Sequence, residues 1–119
     1  MPSISGSAPL GRVLVVDQER RDLDSYATIL QGQGYLVRAC QSYEEGLCQL
    51  NSEHFDFIIV DQGSPSFEGR FVLERSMEKD RHLPVLVVAR CHDMRCYLEA
   101  MQLGAVDYLA EPVVPSDFL

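Results

Sequence analysis

The sequence predicts a doubly wound α/β domain, in which a five-stranded parallel sheet is covered by helices on both faces. Two observations lead to this prediction. Short apolar runs rich in valine, isoleucine and leucine alternate along the chain with segments of helical periodicity. The runs are also apolar at consecutive positions, which indicates strands buried on both faces, as in parallel sheets between helix layers. A chain of 119 residues has room for one such core.

Five strands are predicted from the apolar runs, in chain order. Pro84 stands near the start of the fourth run, where its missing N–H removes no hydrogen bond from the sheet. The runs are RVLVV (12–16), YLVRA (35–39), FDFIIVD (55–61), LPVLVVA (83–89) and VDYLA (106–110).

Four helices are predicted between the strands. Ser42 and Glu45 have the spacing of a capping box at the start of the second helix, and Gly104 is placed to end the fourth. The helical segments are DQERRDLDSYATILQGQG (17–34), SYEEGLCQL (42–50), GRFVLERSMEKD (69–80) and DMRCYLEAMQLGA (93–105). Residues 1–11 are small and polar and are predicted to be a disordered tail or an expression remnant, which leaves a domain over 12–119.

Charge and composition exclude several classes of function. The net charge is −8, which disfavours direct nucleic-acid binding by this domain. Neither a signal peptide nor an apolar run near the roughly 20 residues of a membrane span is present, so we expect a cytoplasmic protein without membrane contact. The four cysteines are expected to be reduced thiols.

Polar residues gather where the predicted strands end. Right-handed crossovers place the C-terminal ends of all parallel strands at one edge, which is where such folds bind ligands. The residues at or just beyond those ends are Asp17 and Gln18, Asp61, Ala89 and Arg90, and Glu111. A hydrolase that uses Asp17 as its nucleophile is a remote alternative, because no Asp-x-Asp pair is present there.

Four motifs in order resemble the receiver domain of two-component response regulators, over about residues 12–115. They are VLVVDQE, IIVDQGSPSFEG, LPVLVVA and AMQLGAVDYLAEP. The resemblance implies a flavodoxin-like sheet of strand order 2-1-3-4-5, followed by a fifth helix. Because the chain stops at PSDFL, we expect that last helix to be truncated, and the apolar surface it leaves to cause self-association.

The resemblance also implies a chemistry and a set of partners. In the family, an aspartate at the position of Asp61 accepts a phosphoryl group from a histidine kinase. Residues at the positions of Asp17 and Gln18, with Asp61 and the Gly63 carbonyl, would hold the Mg²⁺ that offsets charge during transfer. The implied role is a non-enzymatic signalling module that acts with a histidine kinase or an output domain, often a transcriptional one.

Three residues depart from the family pattern. Gln18 replaces a second acid, Ala89 replaces a hydroxyl residue that contacts the phosphate, and Glu111 replaces a lysine that pairs with it. One unit-charge pair at 4 Å is worth about 4 kcal/mol at an effective dielectric constant of 20, so the reversed charge at Glu111 is the gravest change. We therefore expect a degenerate receiver with weakened Mg²⁺ binding. A functional phosphoacceptor at Asp61 is the alternative.

Several local interpretations stay open from the sequence. Arg90 could form an ion pair with Glu111, or it could itself contact the phosphate. In a third alternative, Asp17, Asp61 and Glu111 bind a divalent ion. Asp61 could also serve as a turn residue and Asp17 as a helix cap. Tyr108 occupies the family's aromatic switch position but is expected to be a plain edge-of-sheet tyrosine, because Ala89 offers it no hydroxyl.

Overall fold

The chain folds into five strands and four helices in strict alternation, as seen in a computed structural model that describes residues 8–111. The strands are β1 (Arg12–Val16), β2 (Leu36–Cys40), β3 (Phe57–Asp61), β4 (Val85–Ala89) and β5 (Asp107–Ala110). The helices are α1 (Arg20–Gly32), α2 (Tyr43–Ser52), α3 (Arg70–Lys79) and α4 (Met94–Leu103).

All five strands are parallel, and their order in the sheet is β2-β1-β3-β4-β5. The predicted doubly wound fold and the predicted strand order are therefore confirmed. The order reverses at β1, which has β2 on one side and β3 on the other. Ligand sites in such sheets lie beyond the C-terminal ends of the strands at this reversal, so Asp17 and Asp61 flank the expected position.

The core lies in two layers, one on each face of the sheet. On one face, Val13 and Val15 of β1 pack with Leu23, Tyr26 and Leu30 of α1. On the other face, alternate residues of the same strands pack against α2, α3 and α4. This alternation follows from the two-residue period of a strand, and each fully buried aliphatic side chain stabilises the fold by about 1.5–3 kcal/mol.

The helix ends follow the local sequence closely. The Glu45 N–H donates to Ser42 Oγ at 3.1 Å, as the capping box predicts. Gly104 ends α4 in the left-handed conformation at φ 110°, which costs glycine little. The interpretation of Asp17 as the cap of the first helix is wrong, since the N-cap residue of α1 is Glu19.

Strand boundaries differ from the predicted ones by one or two residues. β2 begins at Leu36 instead of Tyr35, and β3 begins at Phe57 instead of Phe55. Phe55 is buried, but the residue after it leaves the strand pattern: Asp56 accepts a hydrogen bond from the Arg12 N–H through its side chain, at 2.8 Å. An apolar run indicates which residues are buried, and buried residues such as Phe55 can lie beyond the end of the paired strand.

The ends of the chain lie largely outside the described residues. This holds for most of the predicted tail and for the predicted truncation of the last helix, so these stay predictions. Leu10 and Gly11, within the predicted tail, nevertheless pair with the start of β2: the Leu10 N–H donates to Gly34 O and the Leu36 N–H to Gly11 O, both at 3.0 Å. Within residues 8–111, no helix has the length and apolar character that crossing a membrane requires.

Gly46 allows α2 to lie directly against β1. A β-carbon at this position would stand 2.6 Å from a Val16 methyl group, closer than packed atoms approach. Val16 is fully buried and precedes Asp17, so the contact also fixes the start of α2 beside the C-terminal edge of the sheet.

We expect Gly46→Ala to lower the free energy of unfolding by about 1–3 kcal/mol, because overpacking outweighs the helix propensity that alanine adds. Gly32→Ala is the matched control, since no atom lies within 4 Å of the added methyl group. It should be neutral or stabilising by up to about 1 kcal/mol. Urea unfolding measures both, and equal stability of the two variants would contradict the packing role of Gly46.

Candidate functional site

A polar crevice lies at the C-terminal ends of β1, β3 and β4. Its volume is about 220 Å³, and of the six residues that the sequence places at this edge, all but Ala89 line it. The lining residues are Asp17, Gln18, Glu19, Asp61, Gly63, Val88, Arg90 and Glu111. A larger surface groove of about 320 Å³, beside Arg12 and Glu53, contains none of the predicted site residues.

Asp61 is the last residue of β3 and has both carboxylate oxygens engaged. The Tyr43 hydroxyl donates a short hydrogen bond to Oδ1, and the Gln18 N–H donates to Oδ2 at 3.2 Å. Burial raises the pKa of Asp61 above its ordinary value, although both donors oppose the rise. Its side chain bonds to Tyr43 of α2 and to the backbone of the loop after β1, so the interpretation of Asp61 as a residue that bonds loop backbone stays open.

The loop after Asp61 is held by its own side chains. Glu68 accepts hydrogen bonds from the Ser64 N–H at 2.7 Å and from the Ser64 hydroxyl. Gly63 adopts φ 85°, where a side chain would be strained, and a β-carbon on Gly69 would stand 2.0 Å from the Asp61 carbonyl oxygen. These two glycines let the loop fold closely under the carboxylate.

Asp17 is the most deeply buried carboxylate of the site, with 2% of the residue exposed. Its Oδ1 accepts a hydrogen bond from the Glu19 N–H at 2.9 Å, and its buried Oδ2 meets no N–H or hydroxyl donor among the described residues. The Asp17 side chain instead hydrogen-bonds to that of Asp61, so the two carboxyl groups can share a proton. Burial and then the charge of Asp61 raise the pKa of Asp17 to about 8. A buried carboxylate oxygen without a donor is unfavourable unless a proton or a cation satisfies it.

Glu111 turns toward α1. The Tyr26 hydroxyl donates a short hydrogen bond to its Oε2. Burial raises the pKa of Glu111, and the neighbouring Asp22 carboxylate raises it further. A glutamate therefore occupies the lysine position of the family as a partly buried acid held by a neutral donor.

The predicted ion pair between Arg90 and Glu111 is wrong. Arg90 Nη2 lies 2.6 Å from Glu19 Oε2 and 3.9 Å from Asp22 Oδ2, so Arg90 pairs with the N-terminal turn of α1. The physical reason is that the Tyr26 hydroxyl holds Glu111, whereas the exposed Arg90 side chain reaches the two carboxylates at the start of α1. Arg90 still lowers the pKa of Glu111 through its charge, but only as a secondary influence.

Tyr108 is buried, with 5% of the residue exposed, and does not behave as a plain edge tyrosine. Its hydroxyl donates a short hydrogen bond to Gln62 Oε1 and accepts one from the Asp93 N–H at 3.1 Å. Its ring packs edge-on against His92, with 5.2 Å between ring centroids. Ala89, buried at the end of β4, offers no hydroxyl, as predicted, so Gln62 serves as the polar partner instead.

Four polar partners near the site are not predicted from the sequence: Tyr26, Tyr43, Gln62 and Asp22. Tyr43 could have been found, because the capping box at Ser42 places it in the first turn of α2, at the same edge of the sheet as Asp61. Tyr26 fits the apolar face of α1, and no feature of the sequence indicates that its hydroxyl reaches Glu111.

The comparisons with known proteins agree with this fold. Residues 13–119 match the response regulator receiver domain family, and the chain therefore belongs to that family. The chain is a receiver domain of the two-component response regulators, which are signalling domains that bind Mg²⁺ at an acidic pocket and act with histidine kinases and output domains.

Among its relatives are transcriptional regulators. The chain is 27% identical over 101 residues to the transcriptional regulatory protein ZraR of Salmonella typhimurium and, over an equal length, 27% identical to the two-component response regulator PhoP of Pseudomonas aeruginosa. Each alignment covers 85% of this chain, but only 23% of ZraR and 45% of PhoP. This chain thus spans less than half the length of either regulator.

A solved structure shares the fold over nearly the whole chain. It is a CheY-like response regulator receiver domain from Methanospirillum hungatei, with a TM-score of 0.83 and 28% identity. The match covers 94% of this chain and 88% of that one.

We expect Tyr43→Phe to raise the pKa of Asp61 further, because it removes a donor that stabilises the ionised carboxylate. Tyr26→Phe is the matched control. It removes the equivalent bond to Glu111, so it should raise the pKa of Glu111 and leave that of Asp61 unchanged. Carboxyl carbon shifts followed by NMR over a pH titration measure both. An unchanged Asp61 pKa in Tyr43→Phe would contradict the assigned contact.

Proposed function

We propose that this domain regulates an output domain through protein contacts and that its phosphoryl switch is disabled. The observation that carries the proposal is the charge of the crevice. Asp17, Asp61 and Glu111 contribute carboxylates to it, whereas the guanidinium of Arg90 is paired with Glu19. An incoming phosphoryl group is itself anionic and needs cations and donors to offset its charge.

The substitutions act on the steps that phosphoryl transfer requires. Glu111 brings a negative charge to the position where the family has a lysine, and like charges repel a phosphate. Ala89 presents a methyl group where a hydroxyl would donate to a phosphate oxygen, a charge-assisted hydrogen bond worth about 1.5–3 kcal/mol. Both changes destabilise the phosphorylated state relative to the free one.

Tyr43 acts on the nucleophile. Its hydroxyl bonds to Asp61 Oδ1 and so occupies an oxygen that would otherwise attack phosphorus. The backbone N–H of Gln18 occupies the other oxygen. Each oxygen keeps a second lone pair, but a hydrogen bond to it withdraws electron density and makes it a weaker nucleophile.

The residues fit a divalent cation, but with one carboxylate fewer than the family pattern. Asp17 supplies a buried carboxyl group that hydrogen-bonds to Asp61, and Asp61 and the backbone of Gly63 border the same crevice. Gln18 offers only a neutral amide. A bound Mg²⁺ would offset negative charge as phosphoryl transfer proceeds. With one ligand charge missing, Asp17, Asp61 and Gly63 would hold it more weakly.

The partner surface that we propose is the exposed face of α4 together with the start of β5. Apolar side chains are exposed there: Met94, Leu98, Met101 and Val106. Neighbouring exposed apolar side chains commonly mark protein contacts. Several expectations stay predictions. They are the binding of a histidine kinase or an output domain, self-association, and the cytoplasmic location. The absence of enzymatic activity and of nucleic-acid or membrane binding also stays a prediction.

A second candidate is a receiver still phosphorylated at Asp61. It is favoured by the position of Asp61 at the end of β3 and by the close fold of the loop through Gly63 and Gly69. The two candidates differ in whether the site accepts a phosphoryl mimic.

Titration with beryllofluoride and Mg²⁺, followed by backbone amide NMR, separates the two candidates. For the wild-type chain we expect no saturable shifts around Asp61 at millimolar concentrations. The triple variant Gln18→Asp, Ala89→Thr and Glu111→Lys should gain at least tenfold in affinity, and adding Asp61→Asn should abolish that gain. Tight binding by the wild-type chain would overturn the proposal and favour the phosphoacceptor.

A further inference from the structure

Gln62, the residue after Asp61, is buried and has both polar atoms of its side chain engaged. Only 3% of the residue is exposed. Its Nε2 donates to the Ser64 carbonyl oxygen at 3.2 Å, and its Oε1 accepts a short hydrogen bond from the Tyr108 hydroxyl. Because a carbonyl oxygen can only accept, the amide nitrogen must face Ser64 and the amide oxygen must face Tyr108. Gln62 is therefore fixed as the acceptor of the Tyr108 hydroxyl proton.

The Tyr108 hydroxyl extends this contact to the start of α4. Its oxygen accepts a hydrogen bond from the Asp93 N–H at 3.1 Å, so its own proton is directed at Gln62. Asp93 is the N-cap residue of α4, and its Oδ1 accepts from the N–H groups of Arg95 at 2.9 Å and of Cys96 at 3.1 Å. One directed chain of hydrogen bonds thus joins the loop after β3 to the first turn of α4.

Further contacts hold the same arrangement. Cys96 Sγ donates to the Pro65 carbonyl oxygen at 3.5 Å, which is a second link between the loop after β3 and α4. The rings of His92 and Tyr97 pack edge-on against that of Tyr108, with 5.2 Å and 5.8 Å between ring centroids. Aromatic pairs of this geometry stabilise a structure beyond the area that they bury. The Tyr108 ring is therefore held by packing as well as by its hydroxyl.

The hydrogen bond from Tyr108 to Gln62 does not require a phosphate. In the family, a hydroxyl residue at the position of Ala89 contacts the phosphate, and Ala89 has only a methyl group. Gln62 is a neutral amide, and it accepts from Tyr108 in the unphosphorylated chain. The position of Tyr108 is thus set by a residue of the chain itself.

We propose that Gln62 is a positioning residue, which holds Tyr108 in its buried position without phosphorylation and so fixes the first turn of α4. The exposed apolar side chains of Met94 and Leu98 belong to the N-terminal half of this helix. They are therefore presented to a partner in one constant arrangement. This role rests on the proposed function, in which the exposed face of α4 contacts an output domain.

NMR spectroscopy of the whole chain, without a phosphodonor, tests this role. In the wild-type chain, the Tyr108 ring protons should be protected from a soluble nitroxide, and the Asp93 amide should be protected from exchange with solvent. Gln62→Met keeps the length of the side chain and removes both polar atoms, so it should expose the ring and speed Asp93 amide exchange at least tenfold. Gln31→Met is the matched control, because Gln31 is exposed on α1, and it should leave the exchange within twofold of wild type.

Combining Gln62→Met with Tyr108→Phe distinguishes positioning from packing. Tyr108→Phe removes the hydroxyl and should itself speed Asp93 amide exchange at least tenfold. If Gln62 acts through Tyr108, the double variant should exchange within twofold of Tyr108→Phe alone. Urea unfolding of each variant verifies that the fold is retained.

Three results would each overturn the proposal. They are a wild-type Tyr108 ring that the nitroxide reaches, an unchanged Asp93 amide exchange in either single variant, and effects of the two substitutions that multiply in the double variant. The wild-type measurement needs no variant, so the test does not depend on how well a variant folds. The beryllofluoride titration reads phosphate acceptance at Asp61, so either proposal can fail while the other stands.

Discussion

The constraint on which the rest of the site depends is the burial of several carboxylates at one edge of a parallel sheet. The strand order places the ends of β1, β3 and β5 toward one crevice, and each end carries an acid. Burial is the largest cause of the raised pKa of Asp17, of Asp61 and of Glu111. In a working receiver such a concentration of acids is useful, because a metal ion and a lysine offset it during transfer. Here the lysine position is itself an acid, so the negative charge is increased at the point where the family reduces it.

Three tyrosine hydroxyls, which are neutral donors, bond to polar side chains at this edge of the sheet. Tyr43 bonds to Asp61, Tyr26 to Glu111 and Tyr108 to Gln62. Each tyrosine hydroxyl satisfies an oxygen without changing the charge of the site, which allows buried polar groups to persist while the crevice stays anionic. The same contacts tie α2, α1 and β5 to the sheet edge. These three hydrogen bonds therefore hold the side chains of the site in one arrangement.

Much of the fold could be predicted because it depends on periodicity. The apolar runs identified all five strands, and the capping pair Ser42 and Glu45 placed the start of α2 correctly. The sequence also placed Asp61 and Glu111 at the same edge, since that follows from topology alone. It could not assign side-chain partners: Arg90 pairs with Glu19 instead of Glu111, and Tyr108 finds Gln62 in place of a hydroxyl at position 89. These contacts depend on where flexible side chains point once helices pack, and spacing along the chain does not encode that direction.

The central claim, that this edge carries buried acids without enough compensating charge, is tested most directly by the pH dependence of stability. Acids with a raised pKa keep their protons in the folded chain at pH values where the unfolded chain has lost them, so their contribution to stability falls as the pH rises. Asp17, whose pKa is raised to about 8, sets the window between about pH 4 and pH 8. Acids with a lowered pKa, such as Asp93, act below about pH 4 and leave this window unaffected. The measurement is the free energy of urea unfolding in EDTA at pH 5, 6, 7 and 8 for the wild-type chain and for Asp17→Asn. We expect the wild-type stability to decline steadily across this range and the variant to decline less. A wild-type stability that is constant or increases from pH 5 to pH 8 would contradict the account.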